Sequence, residues 1–138
     1  KYKDWKFIII GNTKLGYKTK SFFEKKIISI VDQLDNNVEN LGYLPNERVK
    51  EIMSESTILV IPSIWEEPFG ITAIEGLSNK MVVISSEIGG LKEIIRGKGI
   101  LIKDINVSSL QTEVENLINN PMNTRMYIVI RMLLQKEF

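Results

Sequence analysis

The stretch Ile61-Pro-Ser-Ile-Trp-Glu-Glu-Pro-Phe-Gly-Ile-Thr-Ala-Ile-Glu75 decides how this chain folds. It continues the apolar β-formers Ile58 to Ile61, and Pro62 ends their strand because proline has no amide hydrogen to donate. The stretch therefore predicts a strand end, a loop and a helix start, a junction that lies at the ligand-binding carboxyl edge of an open α/β sheet. Seven residues separate Glu67 from Glu75. We expect one carboxylate in the loop and the other about one to two turns into the helix, on a face that looks back at the loop.

The composition limits the chemistry that this chain can perform. Its 138 residues are 43% hydrophobic, which is enough for one domain with a buried core. The absence of cysteine and histidine excludes disulfides, thiolate metal sites, the usual general base and the serine triad. The net charge of +1 does not indicate a nucleic-acid partner. Carboxylates, backbone amides and Lys or Arg side chains are left to do any chemistry.

Strand and helix patterns alternate along the whole chain. This alternation predicts an α/β fold with a doubly wound, mostly parallel, Rossmann-like sheet. An apolar C-terminal stretch, Tyr127 to Leu134, fits a segment packed on the sheet, a face for another lobe, or a strand. The remaining predicted strands are Trp5–Ile10, Val38–Leu41, Met81–Ser85 and Gly97–Ile102. The remaining predicted helices are Lys20–Leu34, a helix capped by Asn46 and reaching Glu55, a short helix through Ile95, a helix capped by Ser108 or Ser109 and reaching Ile118, and a restart at Asn120-Pro121.

Three motifs in order resemble those of the retaining glycosyltransferases of the GT-B fold, family 4 type. The resemblance covers about Trp5 to Leu117 and implies one lobe of a GT-B fold. The motifs are an E-x7-E segment (Pro62-Ser63, Glu67-Pro68-Phe69-Gly70, Glu75-Gly76-Leu77), the segment Leu41-Gly42-Tyr43-Leu44-Pro45 with Glu47, and the segment Val82-Val83-Ile84-Ser85, Gly89-Gly90-Leu91, Glu93-Ile94-Ile95.

The resemblance assigns roles to individual residues. It implies that Glu67 is the catalytic carboxylate, which contacts the donor sugar and stabilises oxocarbenium-like charge, and that Glu75 accepts hydrogen bonds from the ribose hydroxyls. Two assignments stay open: the loop after Gly11 either lines the nucleotide or only connects two elements, and Tyr43 either borders the base or packs its ring. The expected donor-binding residues are Glu75, Phe69, Gly70, Ile71, Gly42, Tyr43, Leu44 and Gly11.

Lys or Arg side chains and helix N-termini with free amides, rather than a metal, are expected to stabilise the leaving diphosphate of the donor. The amides of Phe69, Gly70 and Ile71 lie at a predicted helix start, and glycine at position 70 leaves room for a ligand. No Asp-x-Asp occurs among the four aspartates, Asp4, Asp32, Asp35 and Asp104. The resemblance therefore implies metal-independent transfer without a cofactor, with a nucleotide-diphosphate sugar as donor.

The resemblance places residues 1–138 in part of the C-terminal, donor-binding lobe. Family members also carry an earlier strand, a loop whose Arg and Lys bind the diphosphate, and an N-terminal lobe that holds a saccharide or lipid-linked acceptor. The resemblance does not extend to these parts in residues 1–138. We therefore expect no transferase activity from this chain alone. The resemblance implies a role in surface polysaccharide or lipopolysaccharide synthesis. It also implies a location in the cytoplasm, at the inner face of the membrane, with peripheral membrane contact by the full-length parent.

Other classes of protein compete with this interpretation. The first is a non-catalytic α/β module that binds nucleotide or protein, with Tyr127 to Leu134 as its partner face. A receiver-like domain is disfavoured because Gly11-Asn12-Thr13 and Pro62-Ser63 stand where acidic residues are needed. A dinucleotide-binding dehydrogenase is disfavoured because no Gly-x-Gly-x-x-Gly follows the first strand.

Overall fold

The structure, a computed structural model, describes residues 2–11, 22–34, 36–119 and 127–131. The predicted loop beyond Gly11, the start of the first helix at Lys20, the restart at Asn120-Pro121 and residues 132–134 lie outside them. The elements are β1 (Lys6–Ile10), α1 (Phe22–Val31), β2 (Val38–Gly42), α2 (Asn46–Ser54), β3 (Ile58–Ile61), α3 (Ile71–Ser78), β4 (Val82–Ser86), α4 (Gly89–Ile95), β5 (Ile100–Ile102), α5 (Val107–Ile118) and β6 (Tyr127–Arg131).

The strands form one six-stranded sheet in the order β2-β1-β6-β3-β4-β5. Every strand pair in the described part of the chain is parallel. The chain winds outward in two directions, from β1 to β2 on one side and from β3 through β4 to β5 on the other. This topology confirms the predicted doubly wound α/β fold, and it places the switch between the two directions at the centre of the sheet.

Strand β3 is buried on both faces. Each of its four residues is at most 1% exposed. Leu59 and Ile61 pack in a cluster with residues of α2, α3 and α4, whereas Ile58 and Val60 pack in a second cluster with Trp5 and residues of α5. A continuous apolar run is the expected pattern for a parallel strand covered by helices on both faces.

The C-terminal strand β6 lies in the middle of the sheet. It pairs with β1 from Lys6 opposite Tyr127 to Ile10 opposite Arg131, and with β3 from Ile58 to Val60. Of the three alternatives that the sequence leaves open for this segment, the strand is therefore correct for residues 127–131. Within the described residues, β6 alone connects the β2-β1 pair to the β3-β4-β5 group by a strand ladder.

Two predicted helix caps are wrong by one to three residues. Helix α2 begins at Asn46 after an extended Pro45, and no side chain bonds to its first amides. Helix α5 is capped by Asn106, whose side chain accepts a hydrogen bond from the Ser109 amide while the Ser109 hydroxyl accepts one from the Asn106 amide. Ser109 is thus the reciprocal partner of a capping box, not the cap itself.

The left-handed residue after α3 is Lys80 and not Asn79. Asparagine is a residue type that often adopts the left-handed conformation after a helix, but Asn79 has φ −83°, whereas Lys80 has φ 59°. The Asn79 amide nitrogens explain the difference, because both the backbone N–H and Nδ2 donate to the Glu75 carbonyl, at 3.0 and 2.8 Å.

The described helices include none long and apolar enough to cross a bilayer.

The central place of β6 predicts an asymmetry between two valines. Val129 is 1% exposed, whereas Val107, at the start of α5, is 84% exposed. Val129→Asp should lower the free energy of unfolding by several kcal/mol because it buries an unpaired charge. Val107→Asp should change it by no more than about 0.5 kcal/mol. Urea unfolding of both variants tests this, and an equal effect would contradict a central β6.

Candidate functional site at the carboxyl edge of the sheet

The ends of β1 and β2 meet at the carboxyl edge of the sheet. Gly11, with φ 126°, donates its N–H to the Gly42 carbonyl at 2.8 Å. The pairing register shifts by one residue just before Gly42, which has φ 60°. Beyond it, the Tyr43 side chain is half exposed, while Leu44 packs against the core. The predicted donor-binding residues Gly11, Gly42, Tyr43 and Leu44 are therefore brought together at one end of the edge.

The loop between β3 and α3 is tied to the end of β4. The Ser86 hydroxyl, on the last residue of β4, donates a hydrogen bond to the Ser63 carbonyl. The Ser63 hydroxyl in turn donates to the Trp65 carbonyl at 3.2 Å. These bonds fix the direction in which the chain leaves β3, and they satisfy the hydroxyl of Ser86, which is buried.

The middle of this loop rests on the first residues of α4. The Gly90 N–H donates to the Glu67 carbonyl at 2.8 Å. Contact is so close that a Cβ on Gly90 would lie 2.6 Å from the Pro68 carbonyl oxygen, and a Cβ on Gly89 would lie 2.9 Å from the Glu67 nitrogen. The loop backbone thus packs directly on glycine backbone.

The loop ends at Gly70, the N-cap of α3. Gly70 has φ 52° and ψ 37°, is buried, and lies against Leu91 and Ile94 of α4. A Cβ there would meet Ile94 Cδ1 at 3.0 Å, so glycine is favoured both by the left-handed backbone and by the packing. No side chain caps this end of α3. The positive end of the eight-residue helix dipole therefore opens at the loop.

The two glutamates of the spaced pair occupy the elements expected of them. Glu67 lies in the loop and is half-buried, with its Oε1 atom shielded from solvent, whereas the neighbouring Glu66 is exposed. Glu75 lies in the second turn of α3 and is also half-buried. Phe69 and Ile71 are exposed beside them. The structure therefore places these residues around one loop and helix start, while their roles stay predictions.

Sequence reasoning missed the support beneath this loop. Gly89 and Gly90 belong to a motif for which no role was predicted, and the hydrogen bond between Ser86 and Ser63 was not predicted. A signal was present, because a glycine pair directly after a buried strand marks a close backbone approach at the carboxyl edge. Among the described residues, no group of three or more acidic residues is arranged to hold a metal ion.

The doubly wound parallel sheet, with a glycine-supported loop and an uncapped helix start at its carboxyl edge, defines a Rossmann-like α/β domain. Residues 1–131 match the family of glycosyl transferases group 1. The chain therefore belongs to that family.

Individual relatives agree with this family. The chain is 34% identical over 119 residues to an uncharacterized glycosyltransferase of Methanocaldococcus jannaschii, which covers 85% of this chain and 32% of the relative. It is 39% identical over 85 residues to an uncharacterized 42.6 kDa protein in the cps region of Klebsiella pneumoniae (57% and 22% covered). It is 32% identical over 92 residues to the alpha-maltose-1-phosphate synthase of Mycolicibacterium smegmatis (61% and 24% covered). These matches span about a fifth to a third of the length of the relatives.

The packing of Gly70 predicts a difference between two left-handed glycines. Gly70→Ala should lower the free energy of unfolding by about 2–5 kcal/mol, the sum of a left-handed alanine and overpacking against Leu91 and Ile94. Gly97 has φ 73° but open space around its Cβ position. Gly97→Ala should therefore cost only about 1–2 kcal/mol. Urea unfolding measures both values, and equal losses would refute tight packing at Gly70.

Proposed function

We propose that this chain binds a nucleotide-diphosphate sugar at the carboxyl edge of its sheet, as the donor lobe of a retaining, metal-independent glycosyltransferase. The observation that carries the proposal is the convergence of Glu67, Gly70 and the start of α3 on one supported loop, in a chain of the glycosyl transferases group 1 family. The convergence supports the three tasks of the reaction, which are to hold the leaving diphosphate, to hold the sugar and to stabilise positive charge.

The start of α3 would hold the diphosphate. A helix N-terminus presents amide donors and a positive dipole end, both of which favour an anion. The amides of Phe69, Gly70 and Ile71 belong to this start, and Gly70 has no side chain to cover them. The diphosphate would receive charge stabilisation there as it leaves, without a metal ion or a cofactor.

The two glutamates would act on different parts of the donor. The backbone of Glu67 is part of the loop that packs on Gly90. Its half-buried carboxylate is suited to accept hydrogen bonds from sugar hydroxyls and to stabilise charge at the anomeric carbon. Glu75, about one turn into α3, would accept hydrogen bonds from the ribose hydroxyls. The adjoining ends of β1 and β2, at Gly11 and at Gly42 to Leu44, would border the base.

The acceptor would be a saccharide or a lipid-linked saccharide. A second lobe would bind it, since the chain spans no more than about a third of the relatives it matches. We propose a hexosyl transfer in surface polysaccharide synthesis. The name of the Klebsiella pneumoniae relative, a protein in the cps region, supports this assignment.

Calorimetric titration with UDP, GDP and ADP tests donor binding. One of these nucleotides should bind, and Glu75→Gln should weaken that binding about tenfold because ribose hydroxyls then bond to a neutral amide instead of a carboxylate. Glu93→Gln, an exposed position on α4, is the matched control and should bind as the unmodified chain does. No binding of any nucleotide, or equal losses in both variants, would contradict the proposal.

The comparison of a nucleotide with its sugar conjugate tests the role of Glu67. Glu67→Gln should leave the affinity for the nucleoside diphosphate unchanged and remove most of the additional affinity for the nucleotide sugar, because only the sugar contacts that carboxylate. The adjacent exposed Glu66 provides the control, and Glu66→Gln should keep both affinities. Retention of the sugar-dependent affinity in Glu67→Gln would refute the assignment.

A further inference from the structure

Two consecutive glycines, Gly89 and Gly90, form the surface on which the Glu67 loop rests. They open α4, directly after β4 and the short connection through Ile88. The Gly90 N–H donates to the Glu67 carbonyl at 2.8 Å. This bond joins the backbone of the proposed catalytic residue to a different element of the sheet edge.

The contact leaves no room for a side chain at either glycine. A Cβ on Gly90 would lie 2.6 Å from the Pro68 oxygen and 3.0 Å from the Glu67 oxygen. A Cβ on Gly89 would lie 2.8 Å from the same Glu67 oxygen and 2.9 Å from the Glu67 nitrogen. The atoms in the way are backbone atoms, so a rotamer change cannot relieve the overlap and the loop itself would have to move.

The backbone conformation favours glycine at position 89, which has φ 46°, but it does not account for glycine at position 90. Glycine is about 1 kcal/mol less favourable than alanine in a helix, and Gly90 has no left-handed φ that would require it. Of the glycines between residues 36 and 119, only Gly89 and Gly90 would place a Cβ against the Glu67 loop. Gly99 makes a similarly close contact elsewhere, since its Cβ would lie 2.6 Å from the Val83 carbonyl oxygen in β4.

We infer that Gly89 and Gly90 are positioning residues that set the place of the Glu67 carboxylate relative to the start of α3. The inference rests on the proposed function, because it concerns how the sugar-binding part of that site is held. A shift of the loop by the several tenths of an ångström that a Cβ requires is comparable to the precision, about 0.5 Å, that a catalytic group needs. A displacement of about 1 Å costs on the order of a hundredfold in rate.

Displacement of Glu67 should affect the binding of the sugar more than the binding of the nucleotide. Glu75 lies on α3, which is packed on β3 and β4 through Gly76, where a Cβ would meet Leu59 and Val83. This packing does not involve the glycine pair. A side chain at position 90 should therefore leave the contacts of Glu75 to the ribose in place, while it displaces Glu67 and the Phe69 amide, which shares a peptide unit with the Pro68 oxygen.

Gly90→Ala, with Gly99→Ala as matched control, tests the inference. Both variants place a Cβ 2.6 Å from a backbone carbonyl oxygen, but only Gly90→Ala does so at the Glu67 loop. Gly90→Ala should shift the amide resonances of Glu67 and Phe69, and it should reduce the additional affinity for the nucleotide sugar tenfold or more, beyond any loss of affinity for the nucleoside diphosphate that a displaced Phe69 amide causes. Gly99→Ala should keep both affinities.

Two readouts distinguish the failure of this inference from that of the proposed function. If the unmodified chain binds no nucleotide sugar, the proposed function fails, and the resonance of the Glu67 amide still shows whether residue 90 sets the place of the loop. A folded Gly90→Ala variant with an unmoved Glu67 amide, or with full sugar-dependent affinity, would overturn the inference. Equal losses in Gly99→Ala would also overturn it. If Gly90→Ala does not fold, Gly89→Ala meets the same loop and should show the same changes. Its left-handed φ of 46° adds backbone strain, for which Gly97→Ala, with φ 73° and open space around its Cβ, is the control.

Discussion

The burial of β3 on both faces is the constraint on which the rest of this structure depends. Four consecutive apolar residues, each at most 1% exposed, need helices on both sides of the strand and strands on both edges. The neighbours β4 and β6 meet the second need, and α2 to α5 meet the first. Because β3 is central, the chain that leaves it at Pro62 emerges in the middle of the carboxyl edge. The candidate site is therefore a direct consequence of that apolar run.

Glycine backbone organises the site above the sheet. Gly70 turns the chain into α3 in a left-handed conformation, and Gly89 and Gly90 let the preceding loop rest on α4 without intervening side chains. Backbone contacts with α4 therefore fix the path of this loop. The side chains of Trp65 and Phe69 are exposed. We therefore propose that the precision with which the Glu67 carboxylate is placed depends on residues that lack a side chain.

The sequence was most informative where one interaction dominates. The bounds of β3 and the start of α3 were predicted to within a residue, because the unbroken apolar run ends at Pro62 and the loop that follows it ends at Gly70. The cap at Asn106 was missed because several neighbouring polar residues can cap α5, and local hydrogen bonds decide which of them does so. The place of β6 was not predictable from periodicity, which indicates a strand but not its neighbours. The contact between Gly90 and Glu67 could not be predicted, because it depends on the crossover that brings the loops after β3 and β4 together.

The most direct test of the account is a map of where a nucleotide-diphosphate sugar binds, by ¹⁵N–¹H NMR of this chain during titration with the nucleotide sugar of each base. The account predicts that the largest shifts fall on the amides of Gly11, Gly42 and the segment 69–71, all at the carboxyl edge. Shifts confined to a surface away from that edge, such as the groove on α1 lined by Lys25, Ser29 and Gln33, would contradict it.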